Sequence, residues 1–202
     1  MQALLKLSNA IDGLNRFIGK HVIWLILAST AISAINAIVR KAFNVSSNAY
    51  LEVQWYLFAA TFMLCSAFTL LNGEHVKIDV LYSRFKKRTQ TWIDVFGFTF
   101  FLLPFCSAII WFSVPFFLKG FNSGEMSSNA GGLIRWPVYA MMPLGFSLLW
   151  LQGISELIKR LAFLMGLIDD PTEKASGKTA EEELAEAIQK LAEEKAAQAK
   201  AA

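Results

Sequence analysis

The chain has 202 residues, and only 17% of them are charged, where a soluble domain carries roughly a quarter. With 55% hydrophobic residues and a mean hydropathy of +0.43, it reads as a polytopic membrane protein and not as a soluble core. A net charge of +3, with no Lys/Arg stripe alternating with exposed aromatics, excludes nucleic acid as a partner.

The first element is an arm, residues 1–20. Leu4, Leu7, Ile11, Leu14 and Ile18 recur at helical spacing, with Lys6, Asn9, Asp12 and Arg16 elsewhere on the wheel. The pattern predicts an amphipathic helix lying in the membrane interface. Asp12 and Arg16 break any signal-peptide run, and no small-residue cleavage site follows. Bracing a partner and simply leading into the first span are both open roles for it.

Four intervals free of Asp, Glu, Lys and Arg come next: Val22 to Val39, Val53 to Gly73, Val95 to Leu118 and Trp136 to Ser155. A spanning helix needs about 20 mostly apolar residues. The predicted spans are therefore about 21–40, 52–73, 92–118 and 136–158, the first borrowing His21 and its flanks, in a transmembrane domain of residues 21–160. Pro104 and Pro115 predict a kink in the third. The expected fold is an all-α integral membrane protein with four transmembrane helices, the N-terminal interfacial helix and a charged C-terminal tail, 161–202.

Basic residues set the orientation. Lys6, Arg16 and Lys20 precede the first span; Lys77, Arg84, Lys86, Lys87 and Arg88 follow the second; Lys159 and Arg160 follow the fourth. The other side holds Arg40 and Lys41 in one loop and Lys119 and Arg135 in the next. Bases resist translocation, so both termini are predicted to be cytoplasmic. Trp24 and Trp92 fall near the inner ends of their spans, and Trp55, Trp111 and Trp136 near the outer ends, as headgroup anchors do. Trp150 sits one or two turns inside.

From Asp169 a polar linker leads to a charged, Ala-rich helical pattern. Thr179 and Glu182 form a capping box, and Leu184, Ile188 and Leu191 a narrow apolar seam. The Gly177–Lys178–Thr179 tripeptide lacks the earlier glycine of a phosphate loop, where Thr172 stands.

Little else in the chain suggests chemistry. Cys65 and Cys106 fit neither a paired-thiol nor a zinc pattern, and read as small apolar filler. No hydrolase motif and no pair of membrane-centre carboxylates occurs. His21 and His75 both fall near one membrane surface, which leaves a bis-histidine haem anchor of a redox complex as the rival reading. Otherwise no cofactor, metal or catalytic residue is expected. Membrane-depth polarity is confined to amides and hydroxyls such as Asn36, Gln54, Thr61, Ser107, Ser147 and Gln152, which suit helix–helix hydrogen bonds. Ionisable residues, the usual mark of an ion path, stop at the span edges with Glu52 and Glu156.

Residues 51–84, "LEVQWYLFAATFMLCSAFTLLNGEHVKIDVLYSR", resemble the central motif of the small membrane subunit of tripartite ATP-independent periplasmic (TRAP) transporters. Glu52, the aromatic stretch from Trp55 to Phe58, and His75-Val76-Lys77-Ile78-Asp79 carry the likeness. Many relatives have Arg at the Lys77 position and Val at the Ile78 position. Residues 123–160, "SGEMSSNAGGLIRWPVYAMMPLGFSLLWLQGISELIKR", resemble the family's outer loop and fourth helix, and the likeness covers roughly residues 10–165. It implies a non-catalytic subunit in the lipid bilayer of the bacterial inner membrane. Its partners would be a large multi-span subunit, sodium-coupled and moving as an elevator, and a periplasmic substrate-binding protein that delivers organic acids such as carboxylates. On that footing the loop from Lys119 to Arg135 is the docking surface, with Gly124, Glu125 and Arg135 as its contacts, while Glu52, Trp55, His75 and Asp79 are structural.

Overall fold

In the computed structural model, residues 1–44, 47–74 and 85–170 are described. The histidine loop with His75 and Asp79, and the tail beyond residue 170, lie outside them. Helices α1 (Gln2–Phe43), α2 (Asn48–Leu71), α3 (Lys87–Ser123) and α4 (Trp136–Leu164) are each long and apolar enough to cross a membrane. No strand element occurs among the described residues; the one β-type pairing is an isolated bridge between Met126 and Ile134. The fold is thus all-α with four potential spans, as expected.

Arm and first span form one unbroken helix of 42 residues, about 63 Å at 1.5 Å per residue. Nothing between Met1 and Arg40 interrupts it, since the glycines there are isolated and no proline intervenes. It stops at Asn44, which takes the left-handed conformation (φ 56°) while its N–H caps the Arg40 carbonyl at 3.2 Å. At the same end of the bundle, α4 starts with Pro137 in its first turn, where the missing N–H is harmless.

Helix α3 carries a π turn at Phe98–Leu102, in which the N–H of Leu103 reaches back to the Phe98 carbonyl. Pro104 follows at once: it has no N–H to offer and its ring crowds the preceding turn, so the helix widens there. The extra residue brings Leu102 and Leu103 onto Gly153 of α4. A Cβ on Gly153 would lie 2.9 Å from one leucine methyl and 3.2 Å from the other.

Helix α4 is the hub, packing against α1, α2 and α3, while α3 packs chiefly against α4. Its most apolar window is 44% buried, against 6% for those of α1 and α3. It approaches α2 closely at Gly145, where an added Cβ would sit 2.7 Å from the Met63 carbonyl oxygen. Only a residue without a side chain allows the two backbones to close to that separation.

The arm's contact face is not its leucine stripe. Ser8, Ile11, Asn15, Gly19 and Val22 are buried, whereas Leu4, Leu7 and Leu14 are exposed. In lipid a leucine gains little from burial against protein, but a serine or asparagine needs a polar partner.

Candidate interaction sites at the two ends of the bundle

One end of the bundle gathers the start of α1, the start of α3 and the last turns of α4. Glu156, Lys159 and Arg160 recur within little more than one turn of α4, so they project together toward α1 and α3. Lys159 Nζ donates to Asp12 Oδ2 at 3.0 Å and also pairs with Glu156. Arg160 Nε donates to Asp94 Oδ2 at 2.9 Å, its Nη1 pairs with Glu156, and the guanidinium lies 4.6 Å over the Phe98 ring. Asp12, Glu156 and Asp94 thus face Lys159 and Arg160 on three helices.

A neutral layer extends this network one turn further along the bundle. Gln152 is fully buried and accepts from Asn15 Nδ2 at 2.7 Å, while its own amide donates to Asp12 at 2.9 Å and Glu156 at 3.1 Å. Ser155 Oγ donates to Asp12 Oδ1 at 2.6 Å and meets the Ser8 hydroxyl at 2.7 Å. Almost every polar group is matched, as burial requires; Asn15 Oδ1 is the exception. Asp12 lies off the arm's apolar stripe on the helical wheel, and helical spacing alone held no signal for its pairing with α4.

The other end holds the loop from Gly124 to Arg135, and Glu52 organises it. Glu52 is only 3% exposed. One oxygen accepts from Asn129 Nδ2 at 2.8 Å and from the Ser127 hydroxyl; the other accepts from the Leu133 backbone N–H at 2.7 Å. Asn48 and Tyr56, one turn before and one after on α2, donate to the carbonyls of Ala130 and Ile134 at 3.0 and 3.1 Å. Three consecutive turns of α2 therefore clamp a single loop. Within it, the Arg135 N–H donates to the Glu125 carbonyl and the Ser127 N–H to that of Leu133. Gly124 (φ +60°) and Gly131 (φ +71°) supply the left-handed residues that these reversals need.

The predicted docking residues meet beside this clamp. Glu125 accepts from Arg135 Nη1 at 3.3 Å and from the Tyr139 hydroxyl at 2.9 Å. Tyr139, and after it the Glu125 carboxylate, hold the Arg135 guanidinium in its charged form more firmly than usual. Both side chains of the ion pair remain exposed, within reach of another protein. Of the motif positions, Trp55 is 63% exposed and shares in no hydrogen bond of the loop. Tyr56, which sequence reasoning grouped only with an aromatic stretch, is the residue that touches it.

Between the two ends most polar groups are spent locally, the buried Gln54 Nε2 being an exception without a partner among the described residues. Thr61, Ser66, Thr69 and Ser147 hydrogen-bond to carbonyls of their own helices, and Trp150 Nε1 donates to Ser107 Oγ at 3.0 Å, which explains why that indole sits inside the span. Cys65 and Cys106 are free thiols. His21 is exposed and turns Nδ1 to the Phe17 carbonyl at 2.8 Å. Among the described residues no cluster of His, Cys, Asp or Glu could hold a metal ion.

A family model described as "Tripartite ATP-independent periplasmic transporters, DctQ component" matches residues 29–163. That stretch takes in the last third of α1, all of α2 and α3, the clamped loop and nearly all of α4. Neither the curated proteins nor the solved structures gave a match. A family match over most of the chain, on an all-α fold with four spanning-length helices, shows that the protein belongs to the DctQ component family of tripartite ATP-independent periplasmic transporters.

Proposed function

We propose that this chain is the small, non-catalytic permease subunit of such a transporter in the bacterial inner membrane. It enlarges and steadies a large sodium-coupled elevator subunit, and it helps dock the periplasmic protein that delivers organic acids such as carboxylates. Both termini face the cytoplasm, which puts the clamped loop in the periplasm and makes Gly124, Glu125 and Arg135 its contacts. Residues 1–20 serve as an amphipathic N-terminal arm continuous with the first span, 21–160 as the spanning domain and 161–202 as the cytoplasmic tail. Glu52 and Trp55 are structural, as are His75 and Asp79 in the cytoplasmic loop.

The observation that carries this reading is where the charges lie. The described ionisable networks sit at the two ends of the bundle, and most of the polar groups between them are consumed within their own helices or by one another, the Asn36 carboxamide and the buried Gln54 Nε2 being exceptions. An ion or carboxylate crossing the membrane needs ionisable partners at mid-depth, and this chain offers none among the described residues, so the path belongs to another subunit.

Uptake by proteoliposomes holding the large subunit and the binding protein, with and without this chain, tests the proposal. Uptake that needs the chain is the expected result; full uptake without it contradicts the reading. Glu125→Lys reverses a charge on the exposed pair. It is expected to raise the binding-protein concentration needed for half-maximal uptake while leaving the folded complex intact. An unchanged concentration dependence removes this loop from the docking surface.

A further inference from the structure

At the clamped-loop end of the bundle, the last turns of α1 and the first turn of α2 enclose two adjoining grooves. The larger, about 620 Å³, is polar and presents Ser33, Asn36, Arg40, Lys41 and Asn44. The smaller, about 230 Å³, is mainly apolar and is walled by Ile32, Ile35, Val39 and Tyr50. Asn36 lines both and joins them.

The charges around the polar groove are unbalanced. Arg40 and Lys41 take part in no ion pair among the described residues. Glu52, an acid on the neighbouring α2, is fully occupied by Ser127, Asn129 and Leu133. The macrodipole of α1 favours a base in its last turn, and basic side chains at a span's end reach for the headgroup zone. Neither effect accounts for a groove that places amide and hydroxyl donors beside both cations and then opens into an apolar slot. The Asn36 carboxamide, at the junction, makes no hydrogen bond of its own among the described residues.

We infer that these grooves bind one anionic phospholipid, its phosphate against Arg40 and Lys41 with Asn36 as a further donor, and the start of an acyl chain between Ile35, Val39 and Tyr50. Two cations with no acid between them select a net negative headgroup over a zwitterionic one. The apolar slot requires an occupant that carries hydrocarbon next to its charge, which a carboxylate on a partner protein does not. The site stands on the helix ends and on membrane residence, and is independent of the docking role proposed for Glu125 and Arg135.

The test is native mass spectrometry of the complex purified from its membrane and exchanged into nanodiscs of equal phosphatidylglycerol and phosphatidylcholine. The wild-type chain is expected to retain phosphatidylglycerol selectively. Arg40→Gln with Lys41→Gln should lower that retention roughly ten- to thirtyfold, the loss of two cations near a membrane surface. Val39→Trp, which fills the apolar slot and keeps both charges, should lower it as well, and Lys119→Gln, a base outside the grooves, should not. Equal retention of the two lipids overturns the inference, as does retention unchanged by the double substitution or lowered as much by Lys119→Gln. A photoreactive residue in place of Ala37, which lines the polar groove, should label lipid; labelling a protein subunit instead assigns the grooves to an interface between chains and overturns the lipid site.

Discussion

The two ends of this bundle are both held by carboxylates, but in different ways. At the end with the N-terminus, Asp12, Asp94 and Glu156 are matched by Lys159 and Arg160, and the contacts tie three helices together. At the loop end, a single carboxylate, Glu52, meets no cation directly and is held by a serine hydroxyl, an asparagine amide and a backbone N–H. The first arrangement fixes helices against one another, so its loss should be felt by the whole fold. The second fixes a loop on a helix, so its loss should be felt locally. Under the proposed function, a stationary support needs the former and a surface offered to a visiting protein needs the latter.

Breaking the ionic end should have the largest effect. Arg160→Leu leaves Glu156 without one cation and Asp94 without its guanidinium. Removing one partner of a buried pair typically costs about 3–5 kcal/mol, and the Arg160 side chain is 6% exposed. Thermal unfolding in detergent should show a marked loss of stability, and Asp12→Asn, which retains hydrogen-bonding capacity, should show a smaller one. If Arg160→Leu unfolds like the parent, the network is not what joins α3 to α4.

A substitution between the two ends comes next. Gly145→Ala puts a methyl group against the Met63 carbonyl, and rigid overpacking costs about 1–3 kcal/mol. A shift of the α2–α4 crossing, read by cysteine cross-linking across that pair, should accompany the loss.

At the loop end, Glu52→Gln keeps the shape and removes the charge: one carboxylate oxygen becomes an NH2 group, so the donors on that side lose their acceptor and those on the other keep only a neutral one. The expected outcome is faster protease cleavage within residues 124–135 and little change in global unfolding. Global destabilisation matching that of Arg160→Leu would erase the contrast between the ends. The smallest effect should come from Gly13→Ala, a helical position where an added Cβ meets nothing within 4 Å. Alanine's better helix propensity should stabilise α1 by about 0.5–1 kcal/mol.

The four helices were legible because length and charge exclusion are one-dimensional properties of a membrane span, readable without knowing any contact. The loop was legible in part: Gly124 and Gly131 announce turns, and Glu52 stood out as a carboxylate at a span's edge. Its partners did not, because Ser127, Asn129 and the Leu133 backbone carry no distinguishing pattern. The ionic network was least legible. Its members lie far apart in the chain, and the apolar periodicity of the arm points away from it: Leu4, Leu7 and Leu14 face outward while Ser8 and Asn15 face α4. In water the leucine stripe would have marked the contact face; in lipid the polar residues do, since only they lack a partner there.

In the function proposed above, this chain supports another subunit and carries no transport or redox chemistry itself. Purification from the native membrane in mild detergent, with mass spectrometry and a visible spectrum taken from one sample, tests it most directly. A colourless, stoichiometric complex with one large multi-span protein is the expected result. A sample without a membrane partner, or one showing a haem Soret band, would contradict it.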